Sequence, residues 1–408
     1  MLSNEIRDKF LKFFQTQGHV VVPSSPVVPN NDDSVLFTTA GMQQFKPYYI
    51  GGADAVQDFG SLNLTSSQKC VRTSDIEEVG DKSHLTFFEM LGNFSFGGYW
   101  KKESIEWAHE FITRELGLTI DYVSVFAGEP STSSGQGGVS EDKESEEIWK
   151  SIDPDIVIKK FGRADNFWGP TGKEGPCGPT TEIYVDGIEV WNIVFNEFFQ
   201  REDGSLEPLK TRGIDTGMGF ERLVKVMQKT ETVFETDLFA PLMRVANSRI
   251  VVDHVRTSAF MISDGVMPSN TGRGYILRRL LRRAYVHARK MDMGTEVLNS
   301  VADAVVNHGS YKGLYAFAEN IEVVMMEEIE KFKKALDAGL KQVEKGEDPF
   351  ILFTSYGLPL EIIEEVTVVD KESFNKQLAE HKRLSQEAGE HKFSAQKDIS
   401  ANQEGRKN

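Results

Sequence analysis

Only two cysteines, Cys70 and Cys177, occur in 408 residues, and they lie far apart. That scarcity excludes a disulfide framework and a Cys-rich zinc site, and it fits a reducing cytoplasm. No apolar run comes near the roughly 18 residues that span a bilayer, so no membrane partner is expected. The first twenty residues place Glu5, Arg7, Asp8 and Lys12 along an amphipathic helix, not a secretory leader. Positive charge is short as well: 46 Lys and Arg against 62 Asp and Glu give a net charge of −16. Such a balance excludes an indiscriminate nucleic-acid binder, so any RNA contact must come from a local basic patch. The eight histidines contain no HxxxH pair, and no internal repeat is present.

What is present suits a soluble chain of two or three domains, with 27 phenylalanines available for cores. Ser3 can cap a helix whose apolar positions Ile6, Phe10, Phe13 and Phe14 follow helical spacing, ending near Gly18. His19 to Val22 reads as a strand stopped by Pro23. Two apolar runs, Gln68 to Val71 and Leu85 to Leu91, flank a charged loop and read as an antiparallel hairpin with Arg72 at its base. An arginine there can fork onto a phosphate, and Phe87 or Phe88 can offer a ring face to a base. Glu103 to Leu116 reads as a helix, and 127–143 as a Gly/Ser/Thr-rich surface loop.

Asp165 to Pro179 is dense in glycine and proline but lacks Walker spacing, since Phe167 replaces the first glycine and Glu174 follows Lys173. It is expected to be an irregular loop. Two strands follow, Glu182 to Val185 and Ile188 to Phe195, joined by an Asp186-Gly187 turn. Alternation sets Val190, Asn192 and Val194 on one face and Trp191, Ile193 and Phe195 on the other. Asp215-Thr-Gly-Met-Gly219 then leads into a helix from Phe220, with Arg222 in its first turn, where free amides favour anions.

A composition change places a boundary near residue 245. Thr271 to Lys290 carries Arg273, Arg278, Arg279, Arg282, Arg283, Arg289 and Lys290 without an acid. Arg278 and Arg282 share one helical face, as do Arg279 and Arg283, which reads as a polyanion footprint, most simply RNA backbone. A basic face paired to Glu-rich helices is the plainer alternative. Further on, a long helix from Tyr315 to Lys345, a short apolar piece from Phe350 to Gly357 and a polar helix from Glu372 to Ala388 precede a frayed tail, 391–408.

The strings FTTAGMQQFKPYY, TFFEMLGNFSFG, GPCGPTTEIY, EVWNIVFNEF, DTGMGFERL and DHVRTSAFMISDGVMPSNTGRGYILRRLLRRA occur in that order. Together they closely resemble the alanyl-tRNA synthetases, a family of class II aminoacyl-tRNA synthetases, over about residues 1 to 390. The resemblance implies an α+β fold: a catalytic domain over 1–245 built on an antiparallel sheet flanked by helices, then a helical tRNA-recognition domain over 246–390. It implies ATP and Mg²⁺ as cofactors, and L-alanine and the tRNA(Ala) acceptor stem as partners. A cytoplasmic monomer is expected. By matched motifs, Arg72 and Arg222 hold the ATP phosphates, Phe88 stacks on adenine, Met90 marks the backbone that reads its edge, and His84 reaches the outer phosphates. Asp215 pairs with the substrate ammonium, Trp168 and Val194 wall its methyl group, Asn192 supplies a polar contact, and Gly217 leaves room. The Mg²⁺ ligands stay unassigned.

Asn270 matches an asparagine that reads a G:U pair, together with the basic helix. Thr354 stands where the family's aspartate is usual, so charge is missing from that contact. The hairpin loop is shorter than in many members, and threonines replace Cys-Ser in GPCGPTTEIY. The chain stops where the family's editing domain would begin, which implies a fragment or a naturally short form. Two rival functions are a catalytically idle tRNA binder and an alanine-activating enzyme that loads a carrier protein or lipid. Intact Arg72, Phe88, Asp215 and Arg222 speak against the first, and the basic helix against the second.

Overall fold

The computed structural model describes all residues except 31, 33–34, 130–137, 359, 361–362, 365–366, 382 and 384–408. The core of the 127–143 loop, the end of the Glu372–Ala388 helix and the 391–408 tail thus lie outside the described residues. Two compact units are present, Met1–Met325 and Met326–Asn408, and residue 245 lies inside the first.

The first unit is built on a mixed sheet of β1 (Val20–Val21), β2 (Asn63–Val71), β3 (Phe87–Ser95), β4 (Tyr122–Phe126), β5 (Ile158–Phe161), β6 (Phe167–Trp168), β7 (Gly175–Val185), β8 (Ile188–Gln200) and β9 (Leu206–Gly219). The order is β1-β2-β3-β9-β8-β7-β4-β5, with β6 on β7. The interior is antiparallel, as expected, but the pairs at its two edges, β1–β2 and β4–β5, are parallel. Between β4 and β5 the chain crosses over through the Lys143–Ile152 helix, a connection that returns the next strand in the same direction.

β2 and β3 pair antiparallel from Asn63↔Ser95 to Val71↔Phe87, so the hairpin is real and longer than its apolar runs suggest. Helix Ser3–Thr16 buries Ile6, Phe10, Phe13 and Phe14. Its Phe10 and Phe14 lie 5.7 and 6.1 Å from the Trp191 ring, edge to face. Trp191, Ile193 and Phe195 of β8 are all fully buried. The Lys101–Glu110 helix continues as a wider π-turn over Phe111–Glu115.

The Asp165–Pro179 stretch differs from the loop expected of it. It forms a helical turn at Arg163–Asn166, then β6, and from Gly175 it is already strand β7. A Cβ at Gly178 would fall 1.8 Å from the Phe195 carbonyl oxygen. Glycine is there for close strand approach, not looseness. The Asp186-Gly187 turn has φ of 51° and 72°, the left-handed pair that a two-residue hairpin demands.

Helix Arg249–Ser263 packs against β3, and helices Gly272–Lys290 and Glu296–Val306 pack on that helix in turn. The long helix starts at Ala318, because Gly309–Phe317 forms 3₁₀ turns instead. In the second unit Asp348 caps the Pro349–Ser355 helix through Phe350 N at 2.8 Å. Residues 371–381 are helical, and Phe374 meets the rings of Phe350 and Phe353.

Candidate active site

Three adjacent strands build the floor of a cavity of about 240 Å³. Across them Glu182 pairs with Asn192 and Asn192 with Gly217; in the next row Thr180 pairs with Val194 and Val194 with Asp215. Residues paired across strands share a face, so Asn192, Val194, Asp215 and Gly217 all open into the cavity, with Trp168. A Cβ at Gly217 would lie 2.8 Å from Met90 Sδ, so only glycine leaves the thioether in place. Asp215 is 4% exposed, and no hydrogen bond reaches its carboxyl among the described residues. Burial pushes that carboxyl up to about 8. A buried acid without donors is poised to take a cation.

The β2–β3 hairpin continues the same sheet beside β9, with Met90 paired to Gly219. Arg72, at the end of β2, donates from Nε to Thr39 O at 3.2 Å, and its guanidinium sits 5.0 Å from the Phe88 ring centroid. His84 lies between Asp81 (2.6 Å) and Glu78 (3.4 Å). Arg222 emerges from the first turn of helix Phe220–Gln228 and donates to the Glu189 carboxylate at 2.6 Å. Every ATP- and alanine-site residue expected from the sequence therefore lines this single cavity: Arg72, His84, Phe88, Met90, Trp168, Asn192, Val194, Asp215, Gly217 and Arg222.

Sequence reasoning missed the acids Glu182, Glu189 and Glu221, which line it too. Strict alternation sets Glu189 on the Trp191 face. In the structure Val190 has no partner, because the register passes from Ile183↔Trp191 to Tyr184↔Glu189. That bulge turns Glu189 into the cavity and sends Val190, expected beside Asn192, into the core. It also sets Glu182 opposite Asn192, not Trp191. Burial pushes the Glu182 carboxyl up to about 7, opposed by hydrogen bonds from Tyr184 and Ser124.

The basic helix is engaged inside the chain. Arg279 and Arg283 both pair with Glu77 of the hairpin loop, and Arg278 donates to Asn270 Oδ1. Arg273 donates to Leu36 O, and Arg282 has a partner too. Thr354 belongs to the second unit, where its hydroxyl donates to Phe350 O at 2.8 Å.

The family described as tRNA synthetases class II (A) matches residues 5–408. The chain belongs to that class II family. It is 39% identical to an alanine–tRNA ligase of Carboxydothermus hydrogenoformans, across 96% of this chain and 50% of the relative. It is 40% identical to one of Thermotoga sp. strain RQ2, across 95% and 50%. An Acetivibrio thermocellus alanine–tRNA ligase shares 38% identity over 94% of this chain and 48% of its own length. The chain thus spans about half the length of the curated relatives it matches. A solved pyrrolysyl-tRNA synthetase from Desulfitobacterium hafniense gives a TM-score of 0.33 at 12% identity, over 57% of this chain and 71% of that one, too low to carry residues or topology across. Among the described residues no helix is long and apolar enough to cross a membrane.

Proposed function

We propose that this class II synthetase chain activates L-alanine with ATP and transfers the alanyl group to the 3′ end of tRNA(Ala). The observation that carries the reading is the cavity itself, which joins a buried partnerless acid, a small apolar wall and two arginines. In the first step an alanine carboxylate oxygen bonds to the α-phosphorus, the bond to the bridging oxygen breaks, and pyrophosphate leaves. In the second, a hydroxyl of the terminal adenosine attacks the alanyl carbonyl and AMP leaves. Asp215 holds the ammonium, Trp168 and Val194 close around the methyl group, and Asn192 contacts the amino acid. Phe88 carries the adenine with backbone near Met90 at its edge, Arg72 faces the α-phosphate, and Arg222 and His84 face the outer phosphates. No side chain need form a covalent bond, so the rate rests on positioning and charge.

Mg²⁺ would accompany ATP. The donor set fits: of the four carboxylates that line the cavity, Asp215 is given to the ammonium and Glu221 is held by Arg256, which leaves Glu182 and Glu189. That is the pattern of an ion held by one or two carboxylates, with phosphate oxygens and water completing it. Glu189 and Glu182 would hold it, and when bound it neutralises phosphate charge.

The RNA side of the proposal falls to residues 246–390: Asn270, the arginines of helix Gly272–Lys290, and Thr354 against the acceptor stem. The two buried cysteines suit a reducing, cytoplasmic setting.

Asp215 gives a pH test. Held at about 8 by burial, it keeps its proton at pH 7 in the empty site. An ammonium beside it favours the carboxylate, so alanine uptake at pH 7 should release close to one proton, and almost none at pH 9. Calorimetry in two buffers of different ionisation enthalpy reads this directly; equal heats at pH 7 would remove Asp215 from the ammonium contact. For folding the sign is the reverse of the usual one for an acid. Between the ordinary 3.8 and about 8 the unfolded chain loses this proton and the folded chain keeps it, so this group lowers stability as pH rises through that window.

The transfer step is tested by charging tRNA(Ala) with radiolabelled alanine. We expect acid-precipitable alanyl-tRNA. Adenylate formation without any charging would point instead to another acceptor, a carrier protein or lipid.

A further inference from the structure

β3 runs past the end of its neighbour. β9 stops at Gly219, where the chain turns into helix Phe220–Gln228, and the β3–β9 register begins only at Met90↔Gly219. Among the described residues, the backbone of 87–89 therefore faces no strand on that edge. Two side chains stand in for it. Arg256 Nη1 donates to Phe87 O at 2.7 Å, and the Glu221 carboxylate accepts from Glu89 N at 3.0 Å. The two are tied to each other, Arg256 Nη2 donating to Glu221 Oε1 at 2.6 Å. Tyr311 OH accepts from Arg256 Nε and Nη2 at 3.0 and 2.8 Å. Arg256 and Glu221 are 0% and 2% exposed. One residue earlier, Asp253 Oδ1 accepts from Thr86 N at 2.9 Å.

A buried ion pair is a poor way merely to fill a core, where apolar residues of equal volume often serve as well or better. What this pair supplies, and an apolar pair could not, is one donor and one acceptor at fixed points on the β3 backbone. The residue between those points is Phe88. Its ring opens into the cavity against Arg72, while the next side chain, Glu89, points away and is gripped by Arg7 Nε at 2.7 Å.

We infer that Arg256 and Glu221 are positioning residues for the nucleotide: they continue the β-ladder with side chains and so fix Phe88, and Arg72 upon it, at the angle that adenine and the α-phosphate require. The inference rests on the nucleotide reading of the cavity. Glu221 also lines the cavity, whereas Arg256, on helix Arg249–Ser263, does not, so the Arg256 variants carry the test.

The test is ATP affinity by calorimetry, without amino acid, for Arg256→Met, Arg256→Lys and Glu221→Gln, beside alanine-dependent pyrophosphate exchange by the same proteins. Arg256→Met should weaken ATP about tenfold or more, the size of one base–aromatic stacking contact. Arg256→Lys should recover part of that, since an ammonium cannot reproduce the planar fork. The KM for alanine should stay within about twofold, as for a site with no shared partner. A role confined to core filling would lower the folded fraction and leave the ATP affinity of the folded protein unchanged, and that result overturns the inference. Should Arg256→Met fail to fold, Arg256→Lys decides by the same readout. A parent that exchanges pyrophosphate while its variants bind ATP normally removes the clamp alone; a parent that neither binds ATP nor exchanges removes the clamp and the function beneath it.

Discussion

Replacing Arg72 with alanine should nearly abolish adenylate formation and leave the fold intact. Its guanidinium lies over Phe88 at the cavity and, among the described residues, makes one hydrogen bond, Nε to Thr39 O at 3.2 Å, which leaves donors for a phosphate. Charge grows on the α-phosphate oxygens as the alanine carboxylate attacks. Removing a preorganised donor at such a point costs about 3 kcal/mol or more, which is over a hundredfold in rate. Arg222 differs in the empty protein, where Glu189 already occupies it at 2.6 Å. Arg222→Ala should therefore cost less, because it also releases Glu189. Pyrophosphate exchange checks both variants. An Arg72→Ala protein within about threefold of its parent would take Arg72 out of the chemistry.

Asp215→Asn should raise the KM for alanine by over a hundredfold and leave the KM for ATP nearly unchanged. An amide cannot neutralise the ammonium, and a buried charge left without its partner costs about 3–5 kcal/mol. The fold gives an internal control. At pH 7 the empty site holds Asp215 protonated, and asparagine is close to isosteric with that neutral acid. Thermal stability should therefore not fall, and its margin over the parent should grow as pH rises from about 4 to about 8 and level off above that, because asparagine does not titrate. Steady-state kinetics with each substrate varied, beside a melting curve, separates the effects. An unchanged alanine KM would sink the assignment, whatever the stability shows.

The sequence was most legible where short-range rules suffice. Helix Ser3–Thr16 follows its apolar spacing, the Asp186-Gly187 turn follows from its two residue types, and Arg72 could be set at the base of a hairpin from two apolar runs and a loop. Gathering ten site residues into one cavity came from the family resemblance, because no local rule brings Arg72, Trp168 and Asp215 together. Period-2 reasoning along β8 set Asn192 and Val194 correctly and failed at its start. The bulge at Val190 inverts the faces there, and nothing local in Ile-Glu-Val-Trp announces it. Gly175 to Pro179 hid a strand behind turn-forming composition, since close strand approach and a turn call for the same residue. Arg256 and Glu221 had no signal at all. Arg256 sits among polar helical residues and Glu221 beside Arg222, and only the early end of β9 explains why their charges are buried beside Phe87.

The most direct test of the central claim is ATP–pyrophosphate exchange by this chain, with each of the twenty amino acids offered separately. We expect exchange to depend on amino acid and to be fastest with alanine. Serine and glycine should follow at only about ten- to hundredfold lower kcat/KM, because one methylene or one added hydroxyl is weakly distinguished by an apolar wall. Larger side chains should give none, since Trp168 and Val194 leave them no room. Exchange that is independent of amino acid, or fastest with a bulky or charged one, would contradict the assignment of this cavity to alanine.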